Sequence, residues 1–189
     1  MLFRLLAFLC LAGLSFSQVP RPLADVPILY PDGKKLSLKT KYRGRVMAIV
    51  LISTSCGGCR ELVELFTKMR ERFGPRGFVV VGAAIEPNAK FNLVAWVQRY
   101  RPQFEFGYLE RDGAIKLAAM PPTGSVVPIM VFVDKKGQVR FQAYGNDAIM
   151  KEKEKAVPAI IDSLLKDAQG PLSTTKQVDA NGKEIPTKK

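Results

Sequence analysis

Two stretches of the chain are apolar almost without interruption: Arg45 to Ile52 (RVMAIVLI) and Phe78 to Ile85 (FVVVGAAI). Strand-length runs without alternation predict strands buried on both faces, as in a parallel sheet covered by helices. Between them, in CRELVELFTKMRERF, Leu62, Leu65, Phe66, Met69 and Phe73 recur at helical spacing. Glu64 and Lys68 are spaced to pair i,i+4 on the polar face of that helix. Gly74-Pro75 closes it. The unit is strand, helix, strand, a crossover that is right-handed in nearly all folds.

The flanks complete the pattern. Upstream, ILYPDGKKLSL sets Pro-Asp-Gly between two short apolar stretches and predicts a hairpin. Downstream, Phe91, Val94, Trp96 and Val97 predict a second helix over about Ala89 to Arg101, ended by Pro102. A short strand is expected near Phe104 to Leu109, followed by a proline- and glycine-rich loop, MPPTGSVVP. IMVFVDKKGQVRFQAYG predicts another hairpin, its first arm buried and its second alternating Val139, Phe141 and Ala143 with Arg140 and Gln142. The last helix is placed over about Val157 to Ala168, with Pro158 in its first turn, where a missing N–H costs nothing. This order defines an α/β fold, a central mixed sheet flanked by helices with an N-terminal β-hairpin extension and the two long strands at its centre.

The termini differ in character. MLFRLLAFLCLAGLSFSQVP carries Arg4, an apolar run from Leu5 to Leu14, and Ser15 and Ser17 at the spacing signal peptidase accepts. The run is shorter than the ~20 residues that span a bilayer. Residues 1–17 therefore read as a signal peptide, which places the mature protein outside the cytoplasm, periplasmic or secreted; left uncleaved, the segment is a membrane anchor. Residues 18–24 read as a proline-rich linker, 25–168 as the folded domain, and 169–189 as a tail with too few apolar residues to pack. The formal charge of +12 comes from dispersed Lys and Arg, with no basic helix and no basic–aromatic ladder. Nucleic acid is thus not an expected partner, whereas loose attraction to a membrane surface or to acidic partners is.

Of the three cysteines, Cys10 lies in the leader, leaving Cys56 and Cys59. A c-type haem anchor needs histidine after the second cysteine, where Arg60 stands. The chain has no histidine at all, which excludes Ser-His-Asp and Cys-His nucleophile pairs. A metal would need further ligands, so neither metal nor other cofactor is expected. Disulfide chemistry remains, as a working redox pair or a fixed bridge. Cys56 falls at the strand end where the helix begins, so unpaired N–H groups and the helix dipole favour its thiolate. Cys59, one turn on, is placed to resolve a mixed disulfide, and two intervening glycines let a substrate backbone approach. A fixed bridge closing so small a loop would add little stability. Thr54 and Ser55 are placed to support the thiolate or to cap the helix. Glu86, at the end of the second buried strand, is the nearest substitute base or else a solvated loop residue.

These residues resemble a thioredoxin fold, specifically the exported TlpA/ResA-type thiol–disulfide oxidoreductases, over about Asp25 to Lys166. DGKKLSLKTKYRGRVMAIVLI is similar to that family's entry hairpin and first central strand, CGGCRE to its active site, and VPIMVFVDKKGQVRFQAYG to its cis-proline loop and closing hairpin. The resemblance implies Cys56 as nucleophile and Cys59 as resolving thiol. It also implies Pro128 as a cis-proline facing the disulfide and Val127 as the residue whose backbone pairs with bound substrate. The implied partners are disulfide-containing or dithiol proteins and an upstream electron donor. Three positions depart from the family: Ser53, Thr54 and Ser55 replace its aromatic residues, Val50 stands where thioredoxins often bury a carboxylate, and Gly58 replaces the motif's proline. Two other functions fit the fold. One is a thiol peroxidase of peroxiredoxin type, with Ser53 three residues before Cys56. The other is a non-catalytic binding module with a structural disulfide.

Overall fold

The computed structural model describes residues 19–124 and 126–167. The expected signal peptide, Cys10 and the whole of the expected tail lie outside the described residues.

The sheet is built on β4 (Val46–Ile52) and β5 (Phe78–Ala84), which pair in parallel over all seven residues. β6 (Glu105–Tyr108) continues the parallel set beside β5, and β7 (Ile129–Val133) runs antiparallel on the other side of β4. β8 (Gln138–Ala143) pairs with β7, and β1 (Arg21–Pro22) with β8. β2 (Ile28–Leu29) and β3 (Lys35–Leu36) form the N-terminal hairpin, which joins the other edge through Leu29 opposite Tyr108. The order is β1-β8-β7-β4-β5-β6-β2-β3, with the two apolar runs central as expected. This is a thioredoxin-like α/β architecture.

Alternation along β4 explains why it is apolar throughout. Val46, Ala48, Val50 and Ile52 enter one hydrophobic cluster, while Met47, Ile49 and Leu51 enter the other on the opposite face. α2 (Gly57–Phe73), α3 (Ala89–Tyr100) and α5 (Lys153–Lys166) cover the first face. α1 (Leu38–Lys41) and α4 (Arg111–Ala118) cover the second. α2 buries Leu62, Leu65, Phe66, Met69 and Phe73 as the spacing requires, and Phe66 packs on Phe132 at 5.9 Å between ring centroids.

Several expectations need correction. α4 and the short α1 were not anticipated: Gly113 interrupts the first, and the second is a single turn capped by Ser37. α5 starts at Lys153, so Pro158 lies inside it; the ring forfeits only the bond to the Glu154 carbonyl near the helix start, while Val157, Ile160, Ile161 and Leu164 pack beneath it. α3 turns Ala89, Leu93 and Trp96 inward and leaves Phe91 and Val94 exposed. Glu64 pairs with Arg60 at 3.6 Å, because helical side chains lean toward the N-terminus. The packed unit also begins before Asp25, since Arg21–Pro22 joins the sheet and Leu23 is buried.

Gly82 shows how tightly the sheet face is filled. It pairs with Phe106, and a Cβ added there would lie 2.1 Å from that ring. Gly82→Ala is therefore expected to destabilise the fold by about 1–3 kcal/mol, read as a lower urea midpoint at unchanged m-value.

Candidate active site

β4 delivers the chain to one end of the sheet, where Cys56 N–H donates to the Ser53 carbonyl at 3.1 Å and closes a turn. Cys56 is extended (φ −88°, ψ 116°) and forms the N-cap of α2, its Sγ accepting the Cys59 N–H at 3.1 Å. A sulfur thus occupies the position usually filled by a serine, threonine or aspartate oxygen. Cys56 and Cys59 are joined as a disulfide, with Cα atoms 5.3 Å apart. Cys56 is half-buried, whereas Cys59 is fully buried in the cluster beneath α2. The outer sulfur is the one a partner can reach.

Gly57 and Gly58 are exposed, and a Cβ at either would meet nothing within 4 Å. They leave the approach to Cys56 open without being required by the backbone.

The loop before Cys56 is held from the side. Glu86 follows β5, which ends opposite Ile52 of β4, and its Oε1 accepts both the Thr54 N–H, at 3.2 Å, and the Thr54 hydroxyl. Its Oε2 is buried and has no hydrogen-bond partner among the described residues. Ser53 and Ser55 hydroxyls lie 3.0 Å apart. Neither Thr54 nor Ser55 caps α2, because Cys56 does so itself. Glu86 is half-buried and bonded, not a solvated loop residue.

The register Leu51 opposite Ile129 brings the residues before β7 to the same end of the sheet as Cys56. The Val127–Pro128 peptide there is cis, and Val127 packs against both hydrophobic clusters. Gly145 backs this loop: its N–H donates to the Val126 carbonyl at 3.0 Å, and a Cβ on it would fall 2.4 Å from the Val127 oxygen. Residues from four separate segments, 53–59, 86, 126–128 and 145, thus share one end of the sheet. Among the described residues no cluster of potential ligands could hold a metal ion. The Glu86–Thr54 contact was only half legible in the sequence, where each residue was singled out without its partner. Gly145 carried no signal there beyond its place after the hairpin.

The fold and this cysteine pair define a thioredoxin-like protein with a Cys-Gly-Gly-Cys site. The sequence profile of the AhpC/TSA family matches residues 21–142, and the chain belongs to that family. No curated protein matches the chain. Among solved structures, a Chlorobium tepidum protein named thiol:disulfide interchange protein DsbE is similar over 77% of this chain and 96% of its own, with a TM-score of 0.65 and 17% identity. A second Chlorobium tepidum structure, a thiol:disulfide interchange protein of the thioredoxin family, covers 79% of this chain and 99% of its own at a TM-score of 0.62 and 16% identity. The thioredoxin domain of a Bacteroides vulgatus thiol-disulfide oxidoreductase gives a TM-score of 0.56 at 16% identity, over 72% of this chain and 95% of its own. At such identities the likeness is one of fold.

Two glycines at this end should respond oppositely to the same substitution. Gly58→Ala is expected to raise stability by about 0.4–1 kcal/mol, since the site is open and the unfolded chain loses freedom. Gly145→Ala is expected to lower it by about 1–3 kcal/mol, because backbone blocks the new methyl. Urea unfolding of both variants checks the pair.

Proposed function

We propose that the chain is an exported thiol–disulfide oxidoreductase that reduces disulfides in partner proteins. The observation that carries this reading is the asymmetry of the pair: Cys56 half-exposed as the N-cap of α2, Cys59 buried one turn behind it. Once the pair is reduced, the helix N-terminus stabilises the Cys56 thiolate. That thiolate attacks one sulfur of a partner disulfide; the partner's S–S bond breaks and its other sulfur leaves as a thiolate, taking a proton from solvent. Cys59 then loses its proton and attacks Cys56 Sγ, which expels the second partner thiol and restores the Cys56–Cys59 disulfide. Two electrons pass to the partner, and an upstream dithiol donor returns them. Exchange with disulfides of other proteins is supported by the names of the structural neighbours, export by the leader-like first residues, and the reducing direction by the resemblance to the TlpA/ResA-type oxidoreductases. Among the described residues no helix is long and apolar enough to cross a membrane.

Val127 and Pro128 form the second wall of the site in this reading, with the Val127 main chain gripping the extended partner segment. Glu86 acts on the pair through Thr54. It pins the loop that carries Cys56, and its negative charge disfavours a nearby thiolate. A less stable thiolate weakens the reduced state, so Glu86 makes the couple more reducing.

A thiol peroxidase is the second reading, favoured by the spacing of Ser53 to Cys56. In the structure the Ser53 hydroxyl is turned to Ser55, and Ile49, where the peroxidase pattern has proline, is buried within β4.

Cys59→Ser is expected to accumulate mixed disulfides through Cys56, seen as adducts on non-reducing gels, while Cys56→Ser forms none. Disulfide reduction by the wild-type protein should exceed peroxide consumption; the reverse result, or two inert thiols, removes the reading. Glu86→Gln removes a negative charge from the loop that carries Cys56 and is expected to favour the Cys56 thiolate. The couple then shifts toward a less negative potential, measured by thiolate absorbance and by equilibration with glutathione.

A further inference from the structure

At the opposite end of the sheet from the cysteines, β5 is left with an unfinished edge. β4 pairs with β5 along its whole length, but β6 pairs only with Val81 to Ala84. The β6 side of Phe78, Val79 and Val80 therefore has no strand partner among the described residues. Those three residues line an open cleft of about 830 Å³. Its other walls include Phe104, and Lys41, Arg45 and Arg70 stand around it.

The cations at this cleft are only partly answered. Lys41 is paired with Glu105, but Arg45 and Arg70 are exposed and meet no carboxylate among the described residues. Arg45 and Tyr42 also line an adjoining recess of about 290 Å³, which adds Lys39, Arg43 and Lys136. Helix C-termini explain Arg70 in the last turn of α2. They do not explain the loop cations Arg43, Arg45 and Lys136.

We propose that this cleft docks an extended acidic segment of a partner protein, which adds as a short strand along Phe78–Val80 while its carboxylates meet Arg45 and Arg70. Each part of the site matches one property of such a segment. A free strand edge supplies main-chain hydrogen bonds to an extended polypeptide. Alternate side chains of an added strand point to opposite faces, so one set meets Phe104 and Arg70 on the α2 side and the other meets Val79 and Arg45 on the α1 side. The cationic rim selects for acidic sequence and speeds encounter. Lipid headgroups and nucleic acid would use the charge but leave the strand edge idle. Seven residues of β4 separate Arg45 from the loop of Cys56, about 20 Å at strand rise. A partner held here leaves the redox end free. The proposal does not depend on the redox reading.

The test uses a fluorescent hexapeptide Asp-Asp-Val-Val-Asp-Asp, which offers carboxylates to both faces, blocked at both ends and titrated into the full chain in its disulfide form at low salt. Saturable binding that weakens with added salt is expected, with slowed hydrogen exchange at the amides of Phe78 to Val80. Arg45→Glu with Arg70→Glu, at exposed positions, is expected to weaken binding by about tenfold or more while circular dichroism and disulfide reductase activity stay unchanged. A lysine–valine hexapeptide should not bind. The proposal is overturned if the acidic peptide fails to bind, if protection falls elsewhere, if the double variant binds equally well, or if only anionic phospholipid vesicles bind and do so through these arginines.

Discussion

The hydrogen bond from the Cys59 N–H to Cys56 Sγ ties the chemistry of this molecule to its architecture. An N-cap atom must sit where the chain is still extended and the helix has not quite begun, because only there do unpaired N–H groups point at it. β4 fixes that spot by burying all seven of its residues, which leaves the strand no freedom of register. The same sulfur then serves two states. In the disulfide it caps α2; in the dithiol the same amides face a thiolate, and a charge-assisted bond is about twice as strong as a neutral one.

Around this sulfur the structure uses polar contacts where the resembling family uses aromatic ones. Ser53, Thr54 and Ser55 would make a loose loop by themselves, since short polar residues bond readily to nearby backbone in several conformations. Glu86 restricts them by accepting both Thr54 donors, and it does so from β5, a strand whose own position is set by β4. Gly145 restricts the facing loop by lying against the Val127 carbonyl. Each loop of the site thus leans on a strand end or on a residue placed against it.

Much of this was legible in the sequence, for identifiable reasons. The uninterrupted runs in β4 and β5 betray burial on two faces, and the apolar spacing of α2 betrays burial on one; both signals are local. The cysteine pair was legible because its spacing, its place at a strand end and the absence of histidine act together. What was not legible depends on distant partners. α4 is short, includes Gly113, and is held by burial of Ala114, Leu117 and Ala118 against strands far away in sequence. The true start of α5 was hidden because Pro158 reads as a first-turn residue, and only the packing of Val157 and Ile161 shows that the helix continues through it. The contact of Glu86 with Thr54 requires knowing that β5 ends beside Thr54, and the open edge of β5 requires knowing that β6 starts three residues late.

Charge gives Glu86 its meaning on the proposed reading. The chain is strongly basic, with a formal charge of +12, and the start of α2 adds a partial positive charge at Cys56. Both favour the thiolate. A thiolate favoured too far is a weak nucleophile and a good leaving group, and its couple becomes an oxidant because the reduced form is the stable one. A reductant with this helix and this net charge needs a local negative charge close to the sulfur. Val50 excludes such a group from the usual buried place beneath the pair. On that reading Glu86 supplies it from the side, through the loop it bonds at Thr54, two residues before Cys56.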